Sequence, residues 1–200
     1  MIIQSSGATT VMLVGFVNAG LVSLEQAVGV VFGANIGTTV TAWVVALVGF
    51  DFDLKTFAIP IFGCGYVLTL VKKLKKESLG TAVMGFAMLF IGLGWLSSAF
   101  KDASGHTSEK LISLVSTLDE FGSMSIVLSV VVGVLFTALI HSSSAMTAIV
   151  ITIASAEPSF WQVGAALVIG STIGSTVDSI MASSGGKADA RRTALIHVMF

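Results

Sequence analysis

Charge is what this sequence has least of. Only 10% of its 200 residues are Asp, Glu, Lys or Arg, against 54% hydrophobic, where soluble domains carry roughly 25% charged residues. That composition excludes an ordinary soluble surface and marks an integral membrane protein. Cysteine is nearly absent as well. Cys64 stands alone, which excludes an internal disulfide and a cysteine-built metal site and leaves a packing role for the thiol. Proline occurs only at 60 and 158, whereas glycine occurs 21 times, so close approach between helices is expected to rest on glycine. The start, Met-Ile-Ile-Gln-Ser-Ser, has no basic region ahead of an apolar one, so no signal peptide is expected. Catalytic signatures are missing too. There is no G-x-S-x-G elbow and no H-E-x-x-H metal motif, and a His next to a Ser in sequence is not a base next to a nucleophile, so an enzyme is not expected.

What the chain does have is polar clusters set inside apolar runs. His141 to Thr147 reads HSSSAMT between two apolar arms, Met124 to Ile140 and Ala145 to Ala156. A full crossing needs about 20 apolar residues, so arms of this length predict a re-entrant helical hairpin over 124–156 with its polar tip near mid-membrane. Polar backbone at that depth survives only when buried in protein or lining a wet cavity, which makes the tip a binding-site candidate.

Residues 4 to 10, QSSGATT, look like the second half of such a hairpin. A span over 24–48 follows, interrupted by Gly33-Ala34-Asn35-Ile36-Gly37-Thr38-Thr39, where two glycines predict unwinding. Spans at 56–71 and 79–100 flank the basic run Lys72-Lys73-Leu74-Lys75-Lys76. In the polar linker over 101–123, Leu111, Leu114, Val115 and Leu118 share one helical face and predict a short interfacial helix. A second broken span is expected over 161–182 around Gly170-Ser171-Thr172-Ile173-Gly174-Ser175-Thr176, and the start of another span follows to Phe200.

Shifting the sequence on itself by 137 residues aligns 4–63 with 141–200 without a gap. Four of seven positions agree between QSSGATT and HSSSAMT, and five of eight between GANIGTTV and GSTIGSTV. Two polar motifs kept at one separation indicate an internal repeat. Three crossings lie between the two hairpins, and an odd number inverts the second. The expected fold is therefore an all-α integral membrane protein of two inverted repeats, 1–100 and 124–200, each with a re-entrant hairpin and a discontinuous transmembrane helix. Charge gives the orientation. One face collects seven Lys or Arg from the 72–77 and 185–192 loops, while the other holds Lys55, Lys101 and Lys110 with seven acids. The first face is then cytoplasmic, the linker over 101–123 is extracytoplasmic, and the location is the cytoplasmic membrane in several passes.

Helix breaks offer amide N–H groups at one half-helix and carbonyls at the other, which suit an anion and a cation respectively. Neutral Ser, Thr and Asn oxygens can replace the hydration shell of a hard cation such as sodium. Asp178, two residues past the second motif and opposite Thr41 of the first repeat, is a candidate cation ligand or proton carrier. His141, in the place of Gln4, is a candidate tip donor.

QSSGATT with GANIGTT, and HSSSAMT with GSTIGST, resemble the doubled QSSS and GANIGTT motifs of the type II sodium/phosphate cotransporter family, including its bacterial branch. The resemblance implies sodium-driven uptake of inorganic phosphate, with sodium as coupling ion and no other cofactor. It points to Gln4, Ser5, Ser6, Asn35, Thr38 and Thr39, and to Ser142, Ser143, Ser144, Ser175 and Thr176. With His141, Thr172 and Asp178 these make up the candidate site; the sodium ligands are expected among Ser5, Ser6, Asn35, Thr39, Ser142, Ser143, Thr176 and Asp178. Gly7, His141 and Thr172 depart from the family pattern, which has Ser, Gln and Asn there. The expected partners are phosphate, sodium and the lipid bilayer, with no nucleic acid. A carrier of another anion, such as a dicarboxylate, and a non-transporting anion-sensing subunit are the alternatives. Subtracting 137 from Met124 places the first hairpin arm before residue 1, and Cys64 to Phe100 have no counterparts after Phe200, so a longer gene product is expected.

Overall fold

The structure, a computed structural model, describes residues 5–51, 54–71, 77–99, 109, 113, 117 and 121–200. Gln4, the basic run 72–76 and the linker positions Leu111, Leu114, Val115 and Leu118 lie outside the described residues.

Among the described residues the chain is helical, as apolar surroundings demand, since a helix satisfies its own backbone N–H and C=O groups. Helix α1 spans Ser6–Ala19, α2 Leu24–Asp51, α3 Leu54–Leu70 and α4 Glu77–Ala99. Helix α5 spans Ser123–Ile140, α6 Ser143–Ala156, α7 Trp161–Gly174, α8 Thr176–Ser183 and α9 Ala188–Met199. Among the described residues three stretches are, by length and composition, long and apolar enough to cross a membrane: Leu24–Leu47, Ser123–Ile140 and Pro158–Ser183. Large apolar side chains such as Trp95, Leu139 and Met199 are exposed while Thr10, Thr152, Ser171 and Thr193 are fully buried. That inversion of the soluble pattern is the surface a lipid solvent requires.

Local chemistry sets the ends. Ser5 caps α1 in an extended conformation with its side chain accepting from Ala8 N–H, and Gly20 closes the helix at φ 76°, a left-handed position that favours glycine. Ser23 and Gln26 exchange side-chain and backbone hydrogen bonds of 3.0 and 3.3 Å to start α2, a reciprocal capping box. At the turn between α5 and α6, His141 adopts φ 58° and its N–H bonds Thr137 O, while Ser142 caps α6 through Ala145 N–H. The expected helix–turn–helix over 124–156 is present, but α5, at 18 residues, is long and apolar enough to cross, so its length does not mark a re-entrant arm.

The 137-residue offset is carried by the helix bounds. Ser6 and Ala19 map onto Ser143 and Ala156, the two ends of α6, and Leu24 maps onto Trp161, the start of α7. The packing follows the same register. Leu13, Val17, Ala27 and Val31 form the α1–α2 core, and their counterparts Val150, Ala154 and Val168 pack between α6 and α7, where Gly164 replaces Ala27. Asn18 Oδ1 accepts from Lys187 N–H at 2.8 Å. The turn after α1 and the basic 185–192 loop therefore share one end of the bundle, as the charge distribution requires.

The helix breaks need correction. Helix α2 runs uninterrupted from Leu24 to Asp51 through the motif expected to unwind. A glycine in a helix costs about 1 kcal/mol, whereas unpaired backbone groups in apolar surroundings cost several each, so the helix wins. The 161–182 span is interrupted only at Ser175, whose φ of −66° and ψ of −17° stay in the right-handed region and whose N–H still reaches Ser171 O at 3.1 Å. Gly170 and Gly174 serve packing instead. A Cβ on Gly170 would lie 2.1 Å from Val130 O, and one on Gly174 2.5 Å from Val134 O, while Gly133 of α5 faces Leu167 O at 2.3 Å. This glycine seam lets the α5 and α7 backbones touch. Gly65 and Gly80 join α3 to α4 in the same way. Cys64, expected to pack, is exposed on α3.

Candidate functional site

The two capped tips and the two polar motifs converge on one cavity of about 610 Å³. Helix α1 brings Ser6 to its wall; α2 brings Asn35, Thr38 and Thr39; α6 brings Ser143 and Ser144; α7 brings Thr172, and the α7–α8 joint brings Ser175 and Thr176. All were expected from the sequence. Thr41, Thr147 and His197 also line it and were not. Thr147 occupies the last motif position, and Thr41 is the counterpart of Asp178, so the repeat register held the signal for both. His197 stands opposite Pro60 in that register and sends no such signal.

Four expected residues are placed differently. The hydroxyls of Ser5 and Ser142 cap their helices at 3.2 Å and stay outside the cavity wall. His141 Nδ1 and Asp178 Oδ1 pair at 2.5 Å, beside the cavity rather than in its wall. Asp178 Oδ2 also lies 3.1 Å from where a Cβ on Gly7 would stand. One carboxylate thus touches both tips. Gly7 and His141, two of the three departures from the family motif, meet at Asp178.

Hydrogen bonding divides the cavity wall by polarity. Thr38 and Thr39 donate their hydroxyl hydrogens to Ala34 O and Ile36 O at 2.9 and 2.7 Å. Thr172, Ser175 and Thr176 donate to Ile169, Thr172 and Ile173 carbonyls at 2.7 Å each, and Thr147 to Ser143 O at 3.0 Å. A hydroxyl has one hydrogen, so these oxygens turn only lone pairs outward, the ligand type a hard cation takes. The tips offer the opposite character. Ser6, Ser143 and Ser144 sit in the first turns of α1 and α6, where free N–H groups and the positive end of the helix dipole favour an anion.

Residues 1–98 match the sequence model described as Na+/Pi-cotransporter. Over this stretch the chain is similar to the Na+/Pi-cotransporter family. Over its whole length it is 29% identical to the uncharacterized protein YqeW of Bacillus subtilis and 28% identical to the putative inorganic phosphate export protein YjbB of Escherichia coli. Each match takes in 100% of this chain, but the chain spans 61% of the first relative and 35% of the second. No solved structure matches the chain. The QSS and GANIGTT stretches fall inside the matched residues, so the α1 and α2 walls of the cavity lie in the stretch similar to that family.

Proposed function

We propose that this chain forms the substrate site of a sodium-coupled secondary transporter that brings inorganic phosphate across the cytoplasmic membrane. The observation that carries the reading is the divided wall of the cavity: committed Thr and Ser oxygens for a cation on one side, two helix N-termini with Ser6, Ser143 and Ser144 for a tetrahedral oxyanion on the other. The family match and the relative named for phosphate export support the anion. Matched helix bounds at a fixed offset support two repeats, read here as inverted, that close on a central site. Sodium is the coupling ion, and binding it beside the anion offsets charge that the neutral wall does not. The protein acts as a carrier, with no chemical step on its substrate.

Direction has a second reading, because that relative is named an exporter. A carrier with one central site runs either way, and the sodium gradient and membrane potential set the sign; one net positive charge moving inward gains about 2.3 kcal/mol per 100 mV. Proteoliposomes with an inward sodium gradient should take up labelled phosphate, and choline in place of sodium should abolish uptake. Accumulation indifferent to sodium would overturn the coupling. Efflux that persists against an inward sodium gradient would establish export, and labelled succinate outcompeting phosphate would favour a dicarboxylate carrier.

A further inference from the structure

His197 is the ionisable side chain in the cavity wall, and neither the sequence motifs nor the family resemblance assigns it a part. It is 2% exposed, on α9, and its ring is held from one side. Nδ1 lies 3.2 Å from Oγ of Ser179, itself fully buried. That Oγ donates its single hydrogen to Thr176 O at 2.8 Å. Since the hydroxyl hydrogen is committed, Nδ1 must carry the donor, and in neutral imidazole the other nitrogen is then an acceptor. Nε2 has no hydrogen-bond partner among the described residues, and it is not sealed from the cavity. A ring nitrogen pinned through Ser179 cannot turn a donor outward.

We propose that Nε2 of His197 accepts a hydrogen bond from the P–OH of hydrogen phosphate, so that the site selects tetrahedral oxyanions that carry a proton and rejects sulfate. This rests on the phosphate reading above. Hydrogen phosphate and sulfate share shape and, at neutral pH, charge; they differ by one hydrogen. Facing sulfate, the lone pair of Nε2 meets another lone pair, and a buried acceptor loses its partner. Ser179 is a positioning residue here, fixing the tautomer by tying α9 to the carbonyl of Thr176 in α8.

The test is a ratio, read in proteoliposomes at neutral pH with sodium present: competition of labelled phosphate uptake by sulfate and by arsenate, which carries a proton as phosphate does. The native protein should prefer phosphate and arsenate over sulfate by about 10- to 100-fold. His197→Gln, whose amide can turn its NH2 outward, should bring that ratio toward one, and Ser179→Ala should lower it partway. If His197→Gln does not reach the membrane, Ser179→Ala carries the test alone. A native protein that excludes arsenate as strongly as sulfate, or that accepts all three, overturns the proposal, as does an unchanged ratio in the variants. A native protein that moves no phosphate at all overturns the underlying reading and this inference with it.

Discussion

Helix α2 and the pair α7–α8 begin at matching positions and carry the same motif, yet they are built differently. In the Leu24–Leu47 stretch 17% of residues in the apolar window are buried; in Pro158–Ser183 the share is 50%. The glycines explain the contrast. Gly170 and Gly174 are occupied by the α5 backbone, while a Cβ on Gly33, the counterpart of Gly170, would meet nothing within 4 Å. A G-x-x-I-G-x-T motif therefore does not dictate an unwound segment. It provides a helix whose small residues admit a neighbour wherever one is present, and whose hydroxyls stay folded onto their own backbone.

The sharpest way to break that comparison is to fill both glycines. Gly170→Ala should cost about 3 kcal/mol, because the new methyl meets a carbonyl rather than a flexible side chain and the two helices must separate. Gly33→Ala should be neutral or stabilising by up to about 1 kcal/mol through helix propensity. Thermal unfolding in detergent separates the two; equal melting temperatures would mean that the α5–α7 seam does not exist.

That contrast also shows what was legible in the sequence. Apolar runs gave the helices to within a few residues, since α3 and α4 begin and end close to the hydropathy limits at 56–71 and 79–100, although neither is among the stretches long and apolar enough to cross. The repeat register gave the partners across the cavity, down to Ser6 with Ser143 and Thr39 with Thr176. Propensity misled at the glycines, because a glycine needed for close approach and a glycine needed for unwinding look alike without the neighbouring helix. His197 was out of reach for another reason. The role proposed for it depends on α9 folding back against α1 and α2, segments far apart in sequence that no local pattern announces.

The second difference between the repeats is the His141–Asp178 pair, which stands where the first repeat has Gln4 and Thr41. Asp178→Asn and His141→Gln should each destabilise by up to about 1 kcal/mol, since the His141 side chain is half exposed, and the double variant by clearly less than their sum, since the second change removes a partner already lost. Gly7→Ala should push the Asp178 carboxylate aside, since its Cβ would stand 3.1 Å from Oδ2, and should cost less in the Asp178→Ala protein. Additive effects across this set would reduce the pair to a surface contact. If Asp178 instead serves sodium directly, Asp178→Asn should shift sodium dependence far more than phosphate dependence.

A finer comparison sets Thr38 against Ser175 and Thr39 against Thr176, the matched hydroxyls of the two motifs. Thr39→Ala and Thr176→Ala should each raise the sodium concentration for half-maximal uptake by about tenfold, or about 1.4 kcal/mol, the usual range for a lost buried oxygen ligand. A tenfold effect in one repeat with none in the other would place the cation on one side of the pseudo-symmetric site. No effect in either would return these hydroxyls to helix packing.

The smallest expected effect concerns a hydroxyl that does nothing visible. Thr137 of α5 is fully buried, and its Oγ1 has no hydrogen-bond partner among the described residues. Thr152 of α6, equally buried, donates to Ala148 O at 2.8 Å. Valine matches threonine in shape, so the substitution isolates the hydroxyl. Removing an unpaired buried hydroxyl relieves its desolvation cost, and Thr137→Val should stabilise the protein by up to about 1 kcal/mol. Thr152→Val removes a made bond and should cost about 0.5 to 1 kcal/mol. Unfolding in detergent gives the sign of each. If Thr137→Val is destabilising, or leaves stability alone while weakening the sodium dependence of uptake, then Oγ1 is held by something the cavity admits from solution, and the ion path reaches one helical turn behind His141, into the seam beside Gly174.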